Sequence, residues 1–164
     1  MFPEDIQTLA EAVVTKAAAR GLTLATAESC TGGLVAAALT AVAGSSSVVD
    51  RGFVTYSNTA KTRLLGVPAD LIDQNGAVSQ PVAEAMAAGA RDLAGVDLAV
   101  SVTGIAGPGG GSADKPVGLV HFACASKAGV RHTVHRFGDI GREAVRLASV
   151  RVALTMLVEA AEAE

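Results

Sequence analysis

Segments of strand character alternate along this chain with segments of helical character, and glycine marks most of the switches. Residues 22–27 (LTLATA), 52–57 (GFVTYS) and 97–102 (DLAVSV) read as strands, the last a continuous apolar run suited to a buried strand. The first helix opens at Pro3 with Glu4 and Asp5 in its first turn, repeats Ile6, Leu9, Val13, Val14 and Ala17 at helical spacing, and stops at Gly21. Further helices are expected over 34–43, over 58–65 with Asn58 as its cap, and over 80–94 with Ser79 as its cap and Gly95 closing it. Residues 117–125 and 130–137 read as a hairpin turning at 127–129, and a last helix runs from about Gly141 to the end. The order is αβαβααβββα. Strands separated by helices pair in parallel, and the hairpin adds antiparallel strands. The expectation is one α/β domain over residues 1–164. It has three layers, with a mixed, mostly parallel sheet, helices on both faces and a late antiparallel hairpin.

Composition narrows the functional classes. A chain of 164 residues buries a core large enough to need no disulfide. With no Trp, one Tyr and four Phe, that core is aliphatic, and stacking platforms for nucleic acid are nearly absent. Thirteen basic against 16 acidic residues give a net charge of −3, and the basic residues are scattered, so no nucleic-acid footprint is present. Cys30 and Cys124 match no metal or redox spacing and read as reduced thiols. No signal peptide or membrane-spanning run is visible, which makes the cytoplasm the expected location.

Ligands of open α/β sheets bind beyond the carboxyl ends of strands. Three segments qualify: 28–33 (ESCTGG), 56–61 (YSNTAK) and 103–111 (TGIAGPGGG). In the first, Ser29 stands before Thr31, Gly32 and Gly33, where free backbone N–H groups and a helix start suit an oxyanion, although Ser29 or Thr31 would equally serve as a helix cap. In the second, Lys61 lies in the first turn of a helix, where a cation opposes the dipole and a neutral base is favoured, although a solvated lysine paired with an acid would fit equally well. Tyr56 ends the preceding strand. The third segment holds five glycines in eight residues, matching neither GxGxxG nor a P-loop, and offers clustered N–H groups to an anion. His132 and His135, three apart on a strand, point to opposite faces and make no pair of metal ligands; His121 sits in an apolar strand. A Ser–Lys mechanism is therefore favoured over Ser–His–Asp. Cys30, also at a helix start, is the rival nucleophile.

Together these residues resemble a known family. Glu28-Ser29-x-Thr31-Gly32-Gly33, Tyr56-Ser57-Asn58-x-x-Lys61-x-x-x-Leu65-Gly66-Val67, Gly76-Ala77-Val78-Ser79, Thr103-Gly104-Ile105-Ala106-Gly107-Pro108 and Lys115-Pro116-Val117-Gly118 look like the nicotinamide-nucleotide amidases. That family is also known as the C-terminal domain of the competence/damage-inducible protein CinA. The resemblance implies hydrolysis of the carboxamide of nicotinamide mononucleotide to nicotinate mononucleotide and ammonia, with Ser29 as nucleophile and Tyr56 and Lys61 as its activating partners. It implies no metal and no cofactor. Where the family often shows Gly-Asp-Arg before its last helix, this chain reads Gly138-Asp139-Ile140-Gly141-Arg142, two residues longer, followed by Arg146. Larger members carry an N-terminal domain with no counterpart in these 164 residues.

The substrate is thus expected among Glu28, Cys30, Thr31, Gly32, Gly33, Thr103, Gly104, Gly107, Gly109, Gly110, Arg142 and Arg146. The two arginines, four apart, share a helix face suited to a phosphate. The expected partner is a small nucleotide, not a nucleic acid or a membrane, and self-association is left open. A non-catalytic module that binds phosphorylated nucleotides is the competing reading. It would keep the glycine loops and have no use for Tyr56 and Lys61 together. A structural or DNA-uptake role finds no support in charge or aromatics.

Overall fold

The computed structural model describes residues 1–164. The chain runs α1 (Glu4–Ala19), β1 (Leu24–Glu28), α2 (Leu34–Thr40), a 3-10 turn (Ser45–Ser47), β2 (Val49–Val54), α3 (Asn58–Leu65), α4 (Ala69–Asn75), α5 (Gln80–Ala94), β3 (Leu98–Gly104), β4 (Leu119–Ser126), β5 (Gly129–Arg136) and α6 (Arg142–Ala163). The sheet order is β2-β1-β3-β4-β5. β1 pairs in parallel with β2 and β3, and β4 is antiparallel to both β3 and β5. Four strands therefore run one way and β4 alone opposes them, which makes the sheet mixed and mostly parallel.

The period-two alternation of each strand divides the core between two faces. Leu24, Val100, Val102, Val120 and Phe122 pack under α1, α2 and α6. Ala25, Ala27 and Ala99 pack under α3, α4 and α5. Helices thus cover both faces, giving the three layers expected. Four alanines, Ala83 and Ala87 on α5 with Ala123 and Ala125 on β4, form a small cluster of their own. A glycine also lets α5 approach α3 closely, because a Cβ at Gly89 would lie 1.9 Å from the Leu65 carbonyl oxygen.

Several local expectations are corrected. α4 was not foreseen, although Pro68 precedes it and Gly76 ends it. α2 stops at Thr40, not at residue 43. β2 ends at Val54, so Tyr56 lies in the loop beyond the strand; the aromatic and β-branched run 53–56 suggested a later strand, but parallel pairing with β1 sets the register. α3 is capped by Ser57, whose Oγ accepts the Ala60 N–H at 3.0 Å, and not by Asn58. Ser79 is the N-cap residue of α5 as expected, but its hydroxyl donates to the Gly76 carbonyl and accepts no helix amide. β3 continues through Thr103 and Gly104, which were expected in a loop.

Candidate active site

From β1 the chain crosses to β2 on one side and later returns to β3 on the other. Such a reversal opens a crevice beyond the carboxyl end of the first strand. Ser29, the residue after β1, stands at that point and is partly exposed. Its N–H donates to the Val102 carbonyl on β3 at 2.9 Å, and the Thr55 N–H donates to the Glu28 carbonyl at 2.8 Å. The three strand ends are thereby tied together.

Lys61 is 1 % exposed, the largest fully buried side chain of the protein. It shares the buried face of α3 with Leu65, one helical repeat on. Its Nζ donates to Ser29 Oγ at 3.0 Å and to the Thr55 carbonyl at 2.7 Å. Burial pushes its pKa below the ordinary lysine value, because the charged form loses its hydration and no carboxylate lies against it. Cys30 behaves in the opposite sense. Its thiol is buried, and desolvation raises its pKa to about 11, so it is a poor nucleophile at neutral pH. Sequence reasoning missed Thr55, whose carbonyl holds the lysine; a backbone acceptor carries no signal in the residue type.

Two expected ligands are structural instead. Glu28 is fully buried, and its carboxylate accepts the Val35 N–H at 2.8 Å and the Ala36 N–H at 3.0 Å, with the Thr26 hydroxyl at 3.2 Å. It caps α2, a role expected of Ser29 or Thr31, and presents nothing to a substrate. Thr103 is also buried and donates to the Ala77 carbonyl at 2.9 Å.

Gly32 and Gly33 take φ of +58° and +102°, which closes the turn between β1 and α2. Within this turn the Gly32 N–H bonds the Ser29 carbonyl at 3.0 Å, while the N–H groups of Thr31 and Gly33 have no acceptor in the protein. Gly104 and Gly107 have packing reasons: a Cβ at either would lie 2.6 Å from a methyl group, of Val120 or Val117 respectively. Gly109 and Gly110 are open, and they line a cavity of about 570 Å³ together with Arg136 and Asp139, neither of which the sequence singled out.

The start of α6 closes the site. Arg142 donates to the Gly107 carbonyl at 2.8 Å and to the Tyr56 hydroxyl at 2.9 Å. Arg146 donates to the carbonyls of Cys30 and Thr31, both at 3.1 Å. Both line a second cavity of about 850 Å³ against Phe2 and Leu34. Tyr56 is 62 % exposed, and its hydroxyl reaches neither Ser29 nor Lys61. No group of three or more His, Cys, Asp or Glu gathers anywhere to hold a metal ion. No helix is long and apolar enough to cross a membrane.

Residues 6–161 match the family model of the CinA C-terminal domain. The chain belongs to that family. A CinA-like protein of Geobacter sulfurreducens is 57% identical over 138 residues, covering 84% of this chain and 33% of the relative. Another, from Geobacter sp. strain M21, is 53% identical over 158 residues, covering 96% of this chain and 38% of the relative. The chain thus spans little more than a third of the curated relatives it matches. Among solved structures, the competence/damage-inducible protein CihA of Agrobacterium tumefaciens is 56% identical with a TM-score of 0.96, covering 98% of each chain. A CinA superfamily protein of Klebsiella pneumoniae is 38% identical with a TM-score of 0.91, covering 97% of this chain and 99% of its own.

Proposed function

We propose that this CinA-family domain is an amidohydrolase that cleaves the carboxamide of nicotinamide mononucleotide, releasing nicotinate mononucleotide and ammonia. The observation that carries this reading is the buried Lys61 amine 3.0 Å from the partly exposed Ser29 hydroxyl. Neutral Lys61 donates one N–H to the Thr55 carbonyl and turns its lone pair to the Ser29 proton. Ser29 Oγ attacks the amide carbon while its proton passes to Nζ. Free N–H groups of the 30–33 turn receive the developing oxyanion. Collapse transfers the proton from Nζ to the departing nitrogen, and ammonia leaves an acyl-serine. Water then attacks the ester, giving its proton to Nζ, which returns one to Ser29 as the acid departs.

Tyr56 acts in this scheme through Arg142, as a strut and not as a proton carrier. The open amides of the 104–111 loop receive the phosphate, with Arg142 held beside them by its bond to the Gly107 carbonyl. A module that only binds nucleotides gains nothing from a lysine buried at the cost of its hydration. The test is ammonia release from nicotinamide mononucleotide by the purified domain. Turnover by the wild type and none by Ser29→Ala is expected; equal release by both proteins overturns the reading. Nicotinamide riboside, which lacks the phosphate, is expected to have a much lower kcat/KM.

A further inference from the structure

Tyr56 is the one tyrosine of a chain that has no tryptophan and four phenylalanines. Phe2 and Phe122 are buried, and Phe53 and Phe137 pack against the core. Tyr56 alone among these rings is open, with 62 % of its surface exposed. The ring contacts within the protein all lie among Phe122, Phe137 and the three histidines, so no aromatic partner covers it.

Tyr56 is nevertheless fixed at both ends. The parallel register pairs Glu28 with Val54, and the Thr55 N–H continues it onto the Glu28 carbonyl at 2.8 Å, which sets Thr55 beside Ser29. The Thr55 carbonyl accepts from Lys61 Nζ at 2.7 Å, and that amine lies 3.0 Å from Ser29 Oγ. This carbonyl belongs to the peptide bond that leads into Tyr56. At the far end of the side chain, the hydroxyl accepts from Arg142 at 2.9 Å, and Arg142 also donates to the Gly107 carbonyl at 2.8 Å. Gly107 lies three residues beyond β3, and β1 stands between β2 and β3 in the sheet. The link from Tyr56 through Arg142 to Gly107 therefore crosses the end of β1, where Ser29 stands, over a span of about 9.5 Å set by two strand spacings.

We infer that Tyr56 is the platform on which the flat ring of the substrate stacks while the carboxamide reaches Ser29. This role rests on the amidohydrolase reading and narrows the substrate class to planar aromatic carboxamides. Arg142 holds the hydroxyl and not the ring, so the π-face is left to a ligand. Glu28, the carboxylate next to Ser29 in the chain, is buried and bonded to the Val35 and Ala36 N–H groups, so it does not balance the charge of a pyridinium ring. The negative face of an aromatic ring attracts such a cation, and offset stacking adds contact area.

The tyrosine fluorescence of this protein comes from Tyr56 alone, which makes the test direct. It is run on Ser29→Ala, which binds the substrate without consuming it. Nicotinamide mononucleotide and ribose 5-phosphate, which has no ring, are titrated in turn, with Kd measured independently by calorimetry. After correction for absorbance, the mononucleotide is expected to quench Tyr56 with a midpoint at its Kd, and ribose 5-phosphate to leave the emission unchanged. In the same background Tyr56→Leu should raise the Kd for the mononucleotide about tenfold, the order lost with an aromatic stacking partner. Tyr56→Phe, which keeps the ring and loses only the Arg142 bond, should stay within about threefold. Equal quenching by ribose 5-phosphate, no quenching at saturating mononucleotide, or equal Kd values for the leucine and phenylalanine variants overturns the inference. Binding with quenching but no hydrolysis by the wild type sinks the amidase reading alone, and hydrolysis without quenching sinks the stacking role alone. A protein that neither binds nor hydrolyses the mononucleotide sinks both.

Discussion

Two pairs of polar side chains lie within hydrogen-bond reach in separate parts of this sheet. Ser29 and Lys61 meet beyond β1 at 3.0 Å. His121 and His132 meet across β4 and β5 at 2.9 Å between Nδ1 and Nε2. Burial lowers the pKa of the basic group in both places: Lys61 falls below the ordinary lysine value, and His121 falls to about 4, helped by its neighbour His132. The same physical cause has opposite chemical consequences. A lysine brought down becomes a usable base near neutral pH, whereas a histidine brought down becomes a weaker one. Surroundings separate them further. Lys61 faces a nucleophile beside unbonded backbone donors, and the histidines face each other. A shifted pKa marks a candidate site only when a reactive partner stands against it.

Substitutions at the two pairs sharpen that contrast. Ser29→Ala is expected to lower ammonia release by at least ~10³-fold with little change in Tm, because the nucleophile carries the chemical step and its side chain is small. Full activity in that variant would move the nucleophile elsewhere. Lys61→Arg should cost at least about 10²-fold, since a guanidinium stays protonated and cannot accept the serine proton. Retained activity there would make Lys61 an electrostatic anchor. Tyr56→Phe separates strut from proton carrier: loss of the Arg142 bond alone should cost less than about 10-fold, whereas a relay role requires the ~10²-fold or greater loss typical of a general acid or base.

The smallest effect on activity belongs to the histidine pair. His121→Gln should leave ammonia release within about twofold, and a larger loss would draw the hairpin into the site. Its signature is in stability. The folded value of about 4 lies below the ordinary 6.5, so between these the unfolded chain holds more protons and stability falls as the pH drops. The substitution should flatten that fall in an acid titration of Tm.

Much of this arrangement was legible in the residues, and what was not has identifiable causes. Glycine punctuation and short strand-forming runs marked all five strands, and Lys61 and the glycine loop stood out as residue types unusual for their positions, whereas Ser29 read equally well as a helix cap. α4 went unseen because Pro68 follows α3 closely enough to read as a helix stop, although it also opens the next helix. The histidine pair went unseen because it depends on hairpin register: His121 opposes Val134 and His132 opposes Ala123, so the two rings meet on the diagonal. Glu28, Tyr56 and Arg146 were placed beside the substrate by pattern, but each side chain is directed by a backbone or side-chain partner distant in sequence or across a turn. Their partners, the Val35 and Ala36 amides, Arg142 and the Cys30 and Thr31 carbonyls, are not encoded by local spacing.

The central claim is that Lys61 is a neutral base held against Ser29. The most direct measurement is the titration of Lys61 by 13C NMR at its Cε, assigned by comparison with Lys61→Arg and followed alongside kcat/KM. Lys61 is predicted to titrate clearly below the ordinary lysine value of 10.5, and kcat/KM should rise with pH along that same ionisation. A Lys61 resonance that titrates at or above 10.5, with a rate profile indifferent to it, contradicts the account.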